Sequence, residues 1–314
     1  MNRASLAPRR LAAAALALAA ALTGASGRAN SLEVCDRPAE PSADERDVML
    51  RFGALVRAEL ADSGQDVALI ARSGLDLHRL GVRYSHEGVA LKDNGTPWSV
   101  RELYYACDEH KPRLFDEGLA GFLMGTDDPA TSWVSLVLLP PPQAAALRGA
   151  ALDKKQALGV LGATYSANAY PFSTLFQNCN QWVLELLADA WRTPLEGEPE
   201  PGSATAARRR AQHWLYGQGY LPTEFAVSLH PMTWLADVVP WLSNADHPPA
   251  ELAANRYSVS MPSSIETFVQ AKVPGASRIE VCHSGRHVVV HHGWDAIAAG
   301  CVAGPGDRVV ELED

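Results

Sequence analysis

The residues best able to do chemistry in this sequence are a cysteine in the stretch Asn178-Cys179-Asn180-Gln181 and a histidine in the stretch Tyr84-Ser85-His86-Glu87. A thiol and an imidazole form an acyl-transfer pair when the ring takes the thiol proton and later returns it to a leaving group. The chain has ten histidines and five cysteines, so chance pairings are common. The elements that carry the two residues decide whether this pair has meaning.

Cys179 sits where a helix should begin. Asn178 is a good N-cap, and Gln181 three residues later completes a capping-box pattern. Leu175, Cys179, Trp182, Val183, Leu186, Leu187 and Ala190 recur at helical spacing, which pins the helix to a core by its apolar face. The unpaired amides and dipole of a helix N-terminus favour negative charge, and the thiolate is the nucleophilic form. The ordinary role of a free cysteine is that of a small buried hydrophobe, so the assignment depends on a partner base.

His86 opens a strand candidate, Tyr84 to Leu91, which a hairpin signal at Asn94-Gly95 joins to a second strand, Trp98 to Ala106. A hairpin centred there sets Glu102 nearly opposite His86 on the same face, where a carboxylate would orient the imidazole. A slip of one residue would substitute Arg101 or Leu103, and a solvent-facing glutamate is the plain alternative. Asn178 and the Cys179 N–H are candidate donors to an oxyanion, although capping alone would account for Asn178. Tyr84 and Tyr165 could be positioning hydroxyls or core packing.

The surrounding pattern predicts an α+β fold with an antiparallel sheet. A helix is expected over Asp47–Ala61, strands over Asp66–Arg72 and Ser132–Leu139, and a helix over Gln143–Gly162 after the prolines at 140 to 142. Beyond Pro194 a linker rich in proline and glycine leads to a helical extension, with helices over Ala204–Gly217, Pro231–Leu242 and Ser263–Lys272. From Ser277 the strand-like runs RIEVCHS, HVVVHH and RVVELE suggest a small C-terminal β appendage, residues 276–314, attached to a main domain over 30–275.

Charge and composition bound the partners. The 314 residues carry a formal charge of -9, which argues against nucleic acid or an anionic membrane surface. The short basic cluster Arg208–Arg210 is expected to be a solvated helix face. Residues 1–29 combine Arg3, Arg9 and Arg10, then an apolar run from Leu11 to Leu22 and a small-residue stretch, the layout of a secretory signal. That run is shorter than the roughly 20 residues of a membrane span. A periplasmic or secreted protein, with no stable membrane insertion after cleavage, is the expectation.

The segment SHEGVAL, followed by a hairpin and then by NCNQWVLEL, resembles the permuted papain-like thiol hydrolases, in which histidine precedes cysteine. That superfamily includes permuted NlpC-type amidases, the lecithin-retinol acyltransferase group and the PPPDE isopeptidases. The resemblance implies Cys179 as nucleophile, His86 as base and a circularly permuted papain-like domain. The span from Gln65 to Trp191 is also similar to the bacterial family numbered 2145 among domains of unknown function.

The expected activity is therefore hydrolysis or transfer of an acyl group from an amide or ester in the cell envelope, with peptidoglycan peptide as the natural substrate and no cofactor. A binding or assembly module on the same fold, with an idle cysteine, is the alternative. A third reading is a metal-handling protein using His283, His287, His291 and His292, though on a strand His287 and His291 lie too far apart to chelate one ion unaided. In an oxidising compartment an odd cysteine count leaves one thiol over. If that is Cys179, bridges Cys35–Cys107 and Cys282–Cys301 are expected.

Overall fold

The computed structural model of the protein describes residues 41–94, 97–193, 202–227, 239 and 241–313. The leader over 1–29, most of the linker over 196–203 and most of the helix expected from Pro231 lie outside the described residues. Among the described residues no helix is long and apolar enough to cross a membrane.

The fold is α+β. Its centre is an eight-stranded antiparallel sheet in the order β10-β9-β8-β5-β1-β2-β3-β4. The strands are β1 (Val67–Arg72), β2 (His86–Lys92), β3 (Trp98–Ala106), β4 (Lys111–Gly118), β5 (Thr131–Leu138), β8 (Ser277–Ser284), β9 (His287–His292) and β10 (Arg308–Glu311). A separate two-stranded ribbon pairs β6 (Thr223–Ala226) with β7 (Arg256–Val259). The helices are α1 (Ala43–Asp62), α2 (Leu119–Met124), α3 (Pro141–Leu152), α4 (Lys154–Gly159), α5 (Cys179–Trp191), α6 (Ala204–Gly217), α7 (Pro249–Ala253) and α8 (Pro262–Lys272).

Both faces of the sheet are covered, and strand alternation distributes the side chains between them. Val67, Leu69, Val89, Leu91 and Leu103 pack under α3, α5, α6 and α8, with Trp182 and Leu186 at the centre. Ala68, Ile70, Ala90, Val100 and Val134 face the other way, under Phe52 and Val56 of α1 and Phe122 of α2. A strand buried on both faces must be apolar throughout, which is why VALIAR reads as a continuous run.

Four differences from the sequence expectation have local causes. The stretch expected as one helix over Gln143–Gly162 breaks at Asp153, whose carboxylate accepts from Lys155 N–H and Gln156 N–H and so caps a new helix. The helix also begins earlier, because proline fits its first turn, where an N–H has no partner to lose. β4 went unforeseen because KPRLFDEG is an edge strand with no apolar alternation, and only an edge tolerates Pro112. Finally, the C-terminal strands are not an appendage. β5 is apolar on both faces and needs a neighbour on each side, and β8 supplies one along its whole length, from Thr131↔Ser284 to Leu138↔Ser277.

Candidate active site around Cys179 and His86

The loop before α5 and the first turns of that helix are fastened by a buried ionic cluster. Glu185 is fully buried and accepts from Arg208 Nε at 2.7 Å, Gln177 Nε2 at 2.6 Å and Gln212 Nε2 at 2.6 Å. Burial pushes its carboxyl above the usual range, and the pull of Arg208 only partly opposes that. Arg208 also donates to the carbonyls of Thr174 (2.9 Å) and Phe176 (2.7 Å), tying the approach to Cys179 onto α6. The expectation of a solvated basic face therefore fails at Arg208, which is 1% exposed, because the preceding loop and α5 turn their carbonyls and carboxylate toward it.

Asn178 caps α5, its Oδ1 accepting from Gln181 N–H at 2.7 Å. The expected capping box is only half present. Gln181 Nε2 donates to Pro171 O at 3.2 Å and to Glu185 at 3.1 Å, which orients the side chain so that its Oε1 does not accept from the Asn178 N–H and is left without a partner among the described residues. Cys179 follows as the first helical residue, a free thiol at 7% exposure. Its thiol donates to Asn180 Oδ1 at 3.5 Å, and Asn180 Nδ2 in turn donates to Ser85 O at 3.3 Å, which lays the start of α5 against the start of β2.

The structure brings His86 to that thiol. Its Nε2 lies 2.6 Å from Glu102 Oε2, and the imidazole also hydrogen-bonds to Cys179. Burial alone would lower its pKa, but the thiol and Glu102 outweigh it and raise the imidazole to about 9. Tyr104 stacks on the ring at a centroid distance of 4.8 Å and Phe122 tilts against it at 5.9 Å. Glu102 has no exposed surface and His86 is 7% exposed.

The pair meets where the sheet parts. By alternation His86 shares the face of Ala90, whereas Cys179 belongs to the core on the side of Val89. The β2–β3 ladder, however, runs from Lys92↔Trp98 only as far as Val89↔Arg101 and stops short of His86. Gly88 lies at that parting, one residue outside the ladder.

Other candidates have different employment. Asn178 Nδ2 donates to Ala167 O (3.2 Å) and Ser260 O (3.4 Å), so the amide expected to serve an oxyanion is already committed. The Tyr84 hydroxyl bonds to Glu280 and accepts from Arg278 Nη2 at 3.1 Å, inside an ionic cluster that also holds Arg83. That cluster accounts for its hydroxyl, and no hydrogen bond to His86 is present. Tyr165 bridges to Gln177 and leans on Tyr105 with centroids 5.3 Å apart.

The C-terminal histidines each find a separate partner. His287 faces Glu311, His291 faces Asp307 (both 2.6 Å), and His292 faces Glu59 at 3.3 Å. Among the described residues no group of three or more His, Cys, Asp or Glu could hold a metal ion. Cys282 and Cys301 form a disulfide with Cα atoms 5.7 Å apart. Cys107 is also disulfide-bonded, and the partner expected for it, Cys35, lies outside the described residues.

Two residues at this site escaped sequence reasoning. Gly88 read as part of an ordinary strand. Glu87, 1% exposed, is a carboxyl set in an apolar run, and that incongruity was the available signal.

A family model described as "Uncharacterized protein conserved in bacteria (DUF2145)" matches residues 59–269, a span that holds Glu87, Gly88, Glu102 and both members of the thiol–imidazole pair. No curated protein and no solved structure matches the chain.

Proposed function

We propose that this chain, which belongs to the DUF2145 family, is an exported thiol hydrolase or acyltransferase on a circularly permuted papain-like domain, acting on an amide or ester of the cell envelope. The observation that carries the reading is the relay Cys179, His86, Glu102, in which one imidazole contacts both the thiol at a helix N-terminus and a buried carboxylate. Order in the chain supports permutation, since the histidine strand precedes the cysteine helix.

The chemistry follows from the contacts. His86 takes the Cys179 proton and becomes an imidazolium held by Glu102. The thiolate attacks the substrate carbonyl carbon, and the carbonyl π pair moves to oxygen. Collapse of that adduct re-forms the carbonyl, expels the leaving group with the proton from His86 and leaves an acyl group on sulfur. Water or another acceptor, deprotonated by the now neutral His86, then takes the acyl group. Glu102 fixes the ring orientation throughout. The envelope assignment rests on the signal-like residues 1–29, and processing at that leader would be read by N-terminal sequencing of protein from a fractionated host.

The reading is tested on the mature protein by iodoacetamide labelling of Cys179 at pH 7, followed by peptide mass mapping. His86→Ala should slow labelling about tenfold or more. Labelling at the rate of a simple thiol, unaffected by that substitution, would sink it. One observation favours a rival, a non-catalytic envelope module: Cys179 and His86 are each only 7% exposed. Under that rival the wild-type thiol resists labelling until the protein is unfolded.

A further inference from the structure

Acyl transfer needs a donor for the oxygen that becomes negative, and the side-chain amides beside Cys179 are all in use. Gln177 Nε2 serves Val160 O (2.8 Å) and Glu185 (2.6 Å). Asn178 Nδ2 serves Ala167 O and Ser260 O. Asn180 Nδ2 serves Ser85 O (3.3 Å) and Ser260 O (3.1 Å). Gln181 Nε2 serves Pro171 O and Glu185. An amide nitrogen has two hydrogens, so each of these groups is committed twice.

Glu87 is an unpartnered buried acid on the Cys179 side of the sheet. It follows His86 and pairs with Ala71 of β1, and alternation turns it to the face of Val89 and Leu91, the side on which Cys179 packs. It is 1% exposed, Oε2 has no hydrogen-bond partner, and no cation among the described residues pairs with it. The groups whose charge bears on it are Glu266 of α8 and Cys179 of α5, and it in turn bears on Tyr220 after α6. All of these are neutral or negative. A carboxyl in such a place holds its proton, because an unpaired buried charge is strongly disfavoured. Burial, with Glu266 and the thiol beside it, pushes Glu87 well above the usual carboxylate range. A neutral carboxylic acid is a strong O–H donor with an unused hydrogen, and apolar sites are known to keep such acids neutral for that purpose.

We infer that Glu87 is an oxyanion donor of this site, its O–H acting with the Cys179 N–H, which as the first of a helix has no intrahelical acceptor. The inference rests on the thiol-hydrolase reading. The thiolate bonds to the carbonyl carbon, the π pair localises on oxygen, and that oxygen accepts from the two donors. Return of the pair expels the leaving group while Glu87 keeps its proton.

Two reagents separate this role from a structural one. Acetylation of Cys179 by p-nitrophenyl acetate passes through an oxyanion, whereas alkylation by iodoacetamide is a direct displacement that forms none. Both rates are measured on the full mature protein, with the adduct assigned to Cys179 by peptide mass mapping. Glu87→Leu should slow acetylation about 100-fold and leave alkylation within about threefold of wild type. Glu87→Gln, which keeps an N–H donor in nearly the same volume, should hold acetylation within about tenfold. Acetylation unchanged in Glu87→Leu, or acetylation and alkylation falling together in both variants, would overturn the inference. If wild-type Cys179 takes no acetyl group and its alkylation ignores His86→Ala, the thiol-hydrolase reading fails first and Glu87 loses its role with it.

Discussion

Gly88 faces Glu102 so closely that it has no room for a side chain. A Cβ there would lie 2.5 Å from Val100 Cγ1, 3.0 Å from Arg101 O and 3.3 Å from Glu102 Cβ. The bare backbone lets Glu102 lie diagonally toward His86 rather than stand straight across from a bulkier neighbour. Gly88→Ala should destabilise the fold by about 1–3 kcal/mol, as overpacking does. It should also displace the carboxylate, so that the His86 ring resonances titrate at lower pH by NMR. A stable variant with an unaltered His86 titration would refute this account of the glycine.

Removing the carboxylate charge gives a signed pH dependence. The His86 pKa is raised from 6.5 to about 9, so its protonation stabilises the fold fully below about pH 6.5, and that contribution is lost as the pH climbs through about 9. Glu102→Gln removes one of the two groups that raise it. Urea unfolding of both proteins should show the largest deficit for Glu102→Gln near pH 6, shrinking by pH 9.5. A deficit that does not vary with pH would contradict the coupling.

Breaking the cluster behind α5 should cost more than any surface change. Glu185 and Arg208 have side chains 0% and 2% exposed at 2.7 Å separation. Arg208→Met strands a buried carboxylate and should cost about 3–5 kcal/mol in chemical denaturation, whereas Arg208→Met with Glu185→Leu should recover much of that loss. The double variant being as unstable as the single one would show that packing, not charge, is at stake.

The Cys282–Cys301 disulfide closes a loop of sequence separation 19. Replacing both cysteines with serine should cost about 3 kcal/mol by loop-closure entropy, seen as a lower melting temperature in the absence of reductant. A variant that melts with the oxidised wild type would mean that β8 and the turn around Cys301 hold each other without it.

What the sequence disclosed was set by how local its causes are. The N-cap at Asn178 and the apolar stripe from Trp182 to Leu187 depend on neighbours three and four residues away, so the start of α5 could be read directly. The strands β1 and β5 announced themselves by apolar runs, and β3 by the hairpin signal at Asn94-Gly95. Glu102 could be placed only to within a register slip, since the parting of β2 from β3 beyond Val89 leaves no trace in composition. The burial of Arg208 and the commitments of Asn178 and Tyr84 were hidden for another reason. Each is fixed by partners far along the chain, such as Ser260 for Asn178 and Glu280 for Tyr84.

The pairing of β5 with β8 also sets an order of assembly. β5 is complete once Leu138 has been made, yet the strand that covers one of its edges ends only at Ser284. The span matched by the family model stops at residue 269, before β8 begins. A chain halted there, on a ribosome or by truncation, would carry a half-built sheet with a bare apolar margin, the kind of edge that captures chaperones or other copies of the same chain. Expression trials bounded by the family match would therefore yield aggregates, while trials carried through β10 would yield soluble protein.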